Sequence, residues 1–233
     1  MLSIVIPTLN EEKYLPRLIA SIQQQDFTDY EIIVSDANSD DKTREVAVKM
    51  GARVVVDKRR HPSFQRNTGA RAALGGIIIF LDADSVLPEG FLLKAMNEFQ
   101  KRNLGIAGFY LDFGSDKIIY HLCSWGYNFL AKIRQSWHPI SVGAGIMVKR
   151  IIHKQIKGFN ETLFVAEDYD YCDRASQIAK FRIIRSVKLP YSIRRMKKEG
   201  DWKVLVKWLR LGFFTLRGKT VKKKIVKYDF GNY

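Results

Sequence analysis

The hydrophobic residues in the first half of the chain follow two alternating patterns. Short apolar runs typical of buried strands lie at residues 2–7, 31–35, 53–56 and 76–81. The stretches between them carry apolar residues at helical spacing, at residues 10–25, 41–50 and 64–74. This alternation predicts right-handed βαβ units, and therefore an α/β fold with a mainly parallel sheet flanked by helices. The second half is less regular, and its glycines and prolines predict loops and short strands that complete a mixed sheet.

The composition is that of a globular protein. The chain has 233 residues, of which 46% are hydrophobic, so we predict one sizeable domain rather than a disordered or fibrous protein. Cys123 and Cys172 are too few for a disulfide framework, and the first residues resemble a core strand rather than a secretion signal. No apolar run reaches the ~18 residues that span a bilayer. We therefore expect a cytoplasmic protein without a transmembrane helix.

The positive charge is concentrated towards the C-terminal end. The formal net charge is +15, but residues 1–180 contain 23 Lys and Arg against 21 Asp and Glu, whereas residues 181–233 contain 16 against 3. We predict a folded domain over residues 1–195 and a basic helical extension over residues 196–233 that is not an independent domain. Within the extension, residues 202–217 place basic and apolar side chains on separate stripes of a helix.

Three interpretations of this basic helix stay open: docking on an anionic membrane, packing on the domain with the basic face in solvent, and binding of nucleic acid. Its tryptophans and lysines suit a membrane interface, so we favour peripheral binding at the inner face of the cell membrane. No RNA- or DNA-binding motif accompanies the charge, and we expect no nucleic-acid partner. Residues 118–133 form another apolar, aromatic segment, for which a core helix is the ordinary explanation and a membrane contact the alternative.

Acidic residues follow two of the predicted strands. In sheets of this type, ligands bind at the carboxyl ends of the strands. Asp82 and Asp84 come directly after the strand at residues 76–81, and two such carboxylates supply the hard oxygen ligands that Mg²⁺ or Mn²⁺ prefers on a diphosphate. Asp36 follows the strand at residues 31–35, where it can accept hydrogen bonds from a base or a ribose. The alternatives are turn or capping acids at residues 82 and 84, and an Asx-turn at Asp36.

Two further sites carry charges that need a physical reason. Arg66 stands near the start of a predicted helix, where positive charge opposes the helix dipole, and a bound phosphate would account for it. Four acids lie between residues 167 and 173, and such crowding raises pKa values unless cations compensate. One of them can therefore act as a general base. The alternative is an acidic helix N-terminus, which is favourable in itself.

In combination, these segments resemble family 2 of the inverting nucleotide-sugar glycosyltransferases, which have the Rossmann-like GT-A fold. The resemblance rests on six motifs in the family's order, at residues 3–12, 34–43, 66–69, 80–84, 158–161 and 167–168. Residues 192–195 are a weaker extension of it. Each motif is modest alone, but their order is specific, and together they cover residues 3–174.

The resemblance implies a role for each motif. Asp168 would deprotonate the acceptor hydroxyl as it attacks the anomeric carbon, with inversion. Asp84 would ligate a divalent cation, Mg²⁺ or Mn²⁺, on the diphosphate, with Asp82 beside the ribose and the metal. Residues 143–145 would line the donor sugar. The predicted contacts of the nucleotide sugar are Pro7, Thr8, Leu9, Glu11, Asp36, Arg66, Asp82, Ala83 and Gly145.

The donor is expected to be a UDP- or GDP-type sugar, and the acceptor is unknown, with a polyprenyl or other lipid-linked acceptor as our hypothesis. One departure concerns the metal, because family members often supply a late histidine as a ligand and no histidine follows His153. The remaining ligand, or metal independence, therefore stays open. Two rivals also remain: a sugar-phosphate nucleotidyltransferase, although the first loop lacks its glycines, and a catalytically idle polyanion- or membrane-binding adaptor.

Overall fold

The computed structural model describes residues 1–114, 117–163 and 165–194, together with Gly200. The strands in this part are β1 (Leu2–Thr8), β2 (Tyr30–Asp36), β3 (Arg53–Val56), β4 (Ile77–Leu81), β5 (Ile106–Asp112), β6 (Gly145–Lys149) and β7 (Phe181–Pro190). The helices are α1 (Leu15–Gln23), α2 (Thr43–Lys49), α3 (Pro62–Ala72), α4 (Phe91–Lys101), α5 (Ile118–Arg134), α6 (Arg150–Gln155) and α7 (Glu167–Ser176). The predicted helix at residues 202–217 lies outside the described residues.

The strands form one mixed sheet in the order β3-β2-β1-β4-β6-β5-β7. Strands β1 to β4 are parallel, and β6 lies antiparallel to both of its neighbours, β4 and β5. The last strand, β7, pairs in parallel with β5. The sheet is therefore mainly parallel with a single reversed strand, which confirms the predicted fold class.

Both faces of the sheet are covered, which is why the strands are continuous apolar runs. Successive side chains of a strand point to opposite faces. In β1, Ile4 and Ile6 pack with α1, α2 and α4, whereas Val5 packs on the other side with α3 and α7. All three side chains are fully buried. A polar residue at any of them would therefore lie in the core.

Helix α1 begins at Leu15, later than the pattern over residues 10–25 predicts. The backbone amides of Asn10, Glu11 and Glu12 donate instead to side chains of the loop that follows β2. Asn10 also has a φ of 57°, in the left-handed region that ends regular structure. Contacts between distant segments thus override the helical periodicity at this point.

The register of the sheet brings the predicted motifs to one edge. Thr8, at the end of β1, pairs with Asp36 at the end of β2. On the other side of β1 lies β4, which leads directly into Asp82. The loops after these strands therefore begin side by side. Within the described residues, no helix has the length and the apolar character that crossing a membrane requires.

Candidate active site

The loops after β1 and β2 form a network that we call the loop cluster: Thr8, Asn10, Asp36, Ser39, Asp41 and Thr43. The amide of Asn10 donates to Ser39 Oγ at 2.9 Å, and Asn10 Oδ1 accepts from the amide of residue 40 at 2.9 Å. The amide of Glu11 donates to Thr43 Oγ1 at 2.8 Å. Side chains of each loop thus satisfy backbone groups of the other, which holds the two strand ends together.

Asp36 is the buried centre of the loop cluster. Its carboxylate is fully buried and accepts hydrogen bonds from Thr8 Oγ1 at 3.0 Å and from the amide of Ser39 at 2.8 Å. Arg44 lies 3.8 Å from it. These are the contacts of the turn-forming alternative, so a contact with the base or ribose at Asp36 stays a prediction. Pro7 and Leu9, which flank Thr8, are partly exposed.

A second group of charges lies beside the loops, and we call it the acid cluster: Glu11, Asp82, Asp84, Glu167 and Asp168. Two arginines accompany these acids. Arg66, on α3, is 4% exposed, and its guanidinium lies 2.9 Å from Glu167 Oε1 and 3.2 Å from Asp82 Oδ1. The sequence predicted a phosphate as the partner of Arg66, whereas in the structure Arg66 pairs with two carboxylates.

Asp168 lies in the first turn of α7, where two backbone amides hold its carboxylate. The amide of Gly143 donates to Oδ2 and the amide of Tyr169 to Oδ1, both at 2.9 Å. Burial, and next the charge of Glu167, raise the pKa of the Asp168 carboxyl to about 7, although Arg66 opposes the shift. A carboxylate that titrates near neutral pH is suited to accept and release a proton.

Burial raises the pKa of Asp82 as well, against the opposing charge of Arg66, and the charge of Asp84 adds to the rise. The side chain of Asp82 is nevertheless 39% exposed, so solvent reaches its carboxylate. The ionised form of Asp82 is therefore unfavourable in this position, although solvent can reach it. This combination is typical of a group that awaits a cationic or hydrogen-bonding partner.

Arg194 closes the other side of the acid cluster. Its guanidinium makes a bidentate contact with Glu11, at 2.9 and 3.1 Å, and its Nε lies 3.6 Å from Asp84 Oδ2. It also stacks over the Tyr14 ring at 4.3 Å. Burial raises the pKa of Glu11 even though Arg194 lowers it. Arg194 thus supplies a positive charge beside the carboxylate that was predicted to bind a cation.

Two of the predicted contacts have roles within the fold itself. Ala83 is 3% exposed and packs in the core with Leu81, so only its backbone is available to a ligand. Gly145 begins β6, and a Cβ there would lie 2.5 Å from Leu189 Cδ2. The absence of a side chain at Gly145 therefore makes room for β7, and its predicted contact with the sugar stays untested.

Gly143 is more closely tied to the site than Gly145. A Cβ at Gly143 would lie 2.2 Å from Arg66 Nη2, so a side chain there would displace the guanidinium. The sequence predicted a role for residue 143 only as part of the segment 143–145 that would line the donor sugar. It also did not place Arg194 in the site, because a contact with Glu11 across 183 positions has no local signal. The late basic motif at residues 192–195 was the only indication.

The comparison with known families agrees with this arrangement. The profile described as "Glycosyl transferase family 2" matches residues 3–157, about two thirds of the chain. The chain belongs to this family. The matched range contains β1 to β6, Arg66 and both aspartates after β4, whereas Asp168 and Arg194 lie beyond it.

Glycosyltransferases are found among the relatives of this family 2 chain. The "GalNAc(5)-diNAcBac-PP-undecaprenol beta-1,3-glucosyltransferase" of Campylobacter jejuni is 39% identical over 113 residues, which cover 46% of the chain and 36% of the relative. The chain thus spans only about a third of that protein's length.

Solved structures agree on the fold. The mannosyltransferase PcManGT of Pyrobaculum calidifontis, solved with GDP-Man and Mn²⁺, has a TM-score of 0.71 at 21% identity, covering 82% of this chain and 56% of that one. S. aureus TarS 1–349 in complex with UDP-GlcNAc has a TM-score of 0.65 at 20% identity, covering 83% and 58%. At these identities the similarity shows the GT-A fold of the family 2 chain.

Proposed function

We propose that this family 2 protein is an inverting glycosyltransferase that moves a sugar from a nucleoside diphosphate sugar to an acceptor hydroxyl. The observation that carries the proposal is the Asp168 carboxyl, with a pKa of about 7 and two backbone amides on its oxygens. Family membership supports the reaction type. The position of the acid cluster, at the carboxyl ends of β1 and β4, agrees with the usual ligand site of such sheets.

In this mechanism Asp168 is the general base. The amides of Gly143 and Tyr169 fix the orientation of its carboxylate, so that a free lone pair can face the acceptor. As the acceptor oxygen forms its bond to the anomeric carbon, its proton passes to Asp168 and the bond to the diphosphate breaks. Attack from the face opposite the diphosphate inverts the configuration. A base with a pKa near the working pH is efficient in such a step.

The carboxylates of the acid cluster suit a divalent cation. Asp82 and Asp84 provide hard oxygen ligands, and Mg²⁺ is commonly held by one or two carboxylates together with phosphate oxygens and water. Among the residues that the structure describes, no group of three or more His, Cys, Asp or Glu forms a complete metal site. We propose that Asp84 and Asp82 would hold the ion together with oxygens of the donor. When bound, it would neutralise the charge of the departing diphosphate.

The relatives support the donor and acceptor classes that we propose. Structures with this fold contain UDP-GlcNAc or GDP-Man, which supports a UDP- or GDP-type donor here. The Campylobacter relative is named for an undecaprenol-linked acceptor, which supports a lipid-linked acceptor here. We propose that this protein meets it at the cytoplasmic face of a membrane. Residues 7–11 would then line the nucleoside, with Asp36 supporting this segment from the core through Thr8. Arg66 would keep the acids of the site in place.

A donor screen tests this proposal. Thermal unfolding with UDP-, GDP- and dTDP-sugars, each with and without Mn²⁺, should reveal one donor that raises the melting temperature, because a ligand of the folded form stabilises it. The Asp84→Ala variant should lose most of the Mn²⁺-dependent part of the shift. Glu89→Ala, at an exposed acid five positions away, is the matched control and should retain it. If no donor changes the melting temperature, the proposed function is wrong.

A further inference from the structure

Helix α5 carries an apolar stripe on its outer side. Exposed fractions along it are 77% for Ile118, 59% for Leu122, 67% for Trp125, 49% for Phe129 and 50% for Ile133. The spacing of three or four residues places these side chains on one face of the helix. Trp125 and Phe129 stack on each other, with ring centroids 5.4 Å apart. Only Tyr120 and Ala131 of this helix are buried, so the predicted core helix describes the inner side alone.

The inner side of α5 is firmly attached to the domain. Ser124 Oγ donates to the carbonyl of Leu111 in β5 at 2.6 Å, and Asn128 bonds to the amide and the carbonyl of the same residue. Tyr127 and Ala131 pack in one cluster with residues of α7, the helix that carries Asp168. The outer stripe therefore belongs to a rigid element that lies next to the helix of the proposed base.

The formal charges along α5 itself have one sign. From Lys117 to His138 the sequence contains Lys117, Lys132 and Arg134 but no Asp or Glu. Lys117 and Lys132 are exposed, and they lie near the two ends of the helix. An apolar face with aromatic rings and flanking lysines is the pattern of a helix that lies in a membrane interface.

We infer that the α5 stripe is a docking surface for an anionic phospholipid bilayer, with Leu122, Trp125 and Phe129 inserted at the level of the headgroups. The charges argue against other occupants. A second copy would bring the same cations against this helix, and residues 181–233 of this chain contain 16 Lys and Arg against 3 Asp and Glu. Anionic lipid is the partner of opposite charge. The inference deepens the proposed function and rests on it in one respect: Asp168, on the helix packed against the inner side of α5, would lie near an acceptor held in the same membrane.

Vesicle binding of the full chain tests the inference. Flotation with phosphatidylcholine vesicles that contain about 30% phosphatidylglycerol should show binding at low salt, and pure phosphatidylcholine should bind much less. The triple variant L122S, W125S and F129S should bind about tenfold more weakly. The control V48S, L74S and I178S removes three other exposed apolar side chains and should bind like the wild type. Equal binding by the stripe variant and the wild type would overturn the inference, as would an equal loss in the control.

Two further measurements distinguish lipid contact at the stripe from lipid contact elsewhere and from self-association. Brominated acyl chains should quench tryptophan fluorescence in bound wild type, and Trp125→Phe should reduce this quenching, whichever other segments touch the lipid. If sedimentation shows that the wild type is a dimer and the stripe variant a monomer, the stripe is an interface between copies and the inference is wrong. Donor-induced stabilisation, measured on the same proteins without vesicles, reports on the proposed function independently. It should be unchanged in the stripe variant, which also shows that this variant is folded.

Discussion

The loop cluster and the acid cluster lie side by side at one edge of the sheet, but they differ in how their carboxylates are stabilised. In the loop cluster the Asp36 carboxylate is fully buried and accepts from Thr8 and Ser39 of its own network. In the acid cluster, burial raises the pKa of three carboxyls, those of Glu11, Asp82 and Asp168. The first arrangement is satisfied internally. The second has an excess of negative charge that a bound cation would offset.

This difference separates residues that build the site from residues that carry out its chemistry. A carboxylate whose partners are all in the fold contributes mainly to stability. A carboxylate that is desolvated and crowded by like charge costs stability, and its retention indicates a functional use. Substitutions should therefore affect stability in the loop cluster and turnover at Asp168, and the four variants below test that division.

The largest effect is expected for Asp168→Asn. The amide cannot take the acceptor's proton, so turnover should fall by about three orders of magnitude. Donor-induced stabilisation should persist, because the diphosphate is held elsewhere. Transfer kinetics and thermal unfolding with the donor measure the two effects.

The stability of this variant provides a check against simple unfolding. The folded-state pKa of Asp168 is raised, so its favourable contribution is complete below the ordinary value near 3.8 and is lost as the pH rises through about 7. At pH 8, Asp168→Asn removes this cost of the buried charge but loses one of the two bonds from backbone amides, so its unfolding free energy should stay within about 2 kcal/mol of the wild-type value. Asp173→Asn, on the same helix, is the matched control and should keep its turnover. Normal turnover in Asp168→Asn would remove the assigned base.

Arg66→Met should give the next largest effect. The substitution removes the shared partner of Glu167 and Asp82, and the loss of one member of a buried ion pair costs about 3 kcal/mol of unfolding free energy. Urea unfolding at pH 7.5 measures this, with Arg66→Lys as the variant that keeps the charge. Full stability of the methionine variant would mean that the acids need no fixed cation.

Asp36→Asn tests the loop cluster. Because one carboxylate oxygen becomes an amide donor beside Thr8 and Ser39, we expect a loss of about 2 kcal/mol in unfolding free energy. Turnover at saturating donor should change little. A variant with unchanged stability but weakened donor binding would instead assign Asp36 to the nucleoside, as the sequence predicted.

Arg194→Ala should have the smallest effect. Without the guanidinium, Glu11 and Asp84 confront the diphosphate with unpaired negative charge, and a loss of about 1 kcal/mol corresponds to roughly fivefold weaker donor binding. The effect should appear in KM rather than kcat, and Arg194→Lys should restore part of it. A large fall in kcat would place Arg194 in the chemical step.

The contrast between the clusters also shows which features the sequence could predict. The first four strands were predictable because apolar runs are a local signal, and so was the position of Asp82 and Asp84 at the end of one of them. Asp168 was selected among the crowded acids by the resemblance to the family, and its role as the base stays a prediction. The carboxylate partners of Arg66 were not, since they come from α7 and from the segment after β4. The Arg194–Glu11 pair joins positions 183 residues apart.

The sequence left two details of the helices unpredicted: where α1 begins and which side of α5 is exposed. In the segment before α1, side chains of another loop capture the backbone amides that a helix would use. For residues 118–133 a core helix was the ordinary explanation, and the structure has a helix there, but its composition could not distinguish the inner side from the exposed outer stripe. Both outcomes depend on neighbours that are distant in the sequence.

The pH dependence of transfer tests the central claim, that Asp168 is the base of the reaction. With a saturating donor, kcat should rise with pH as Asp168 loses its proton, pass its midpoint near pH 7, and level off above it. The residual activity of Asp168→Asn should lack this rise. A wild-type profile that stays flat from about pH 5 to about pH 9, or the same midpoint in the variant, would contradict the assignment of Asp168 as the base.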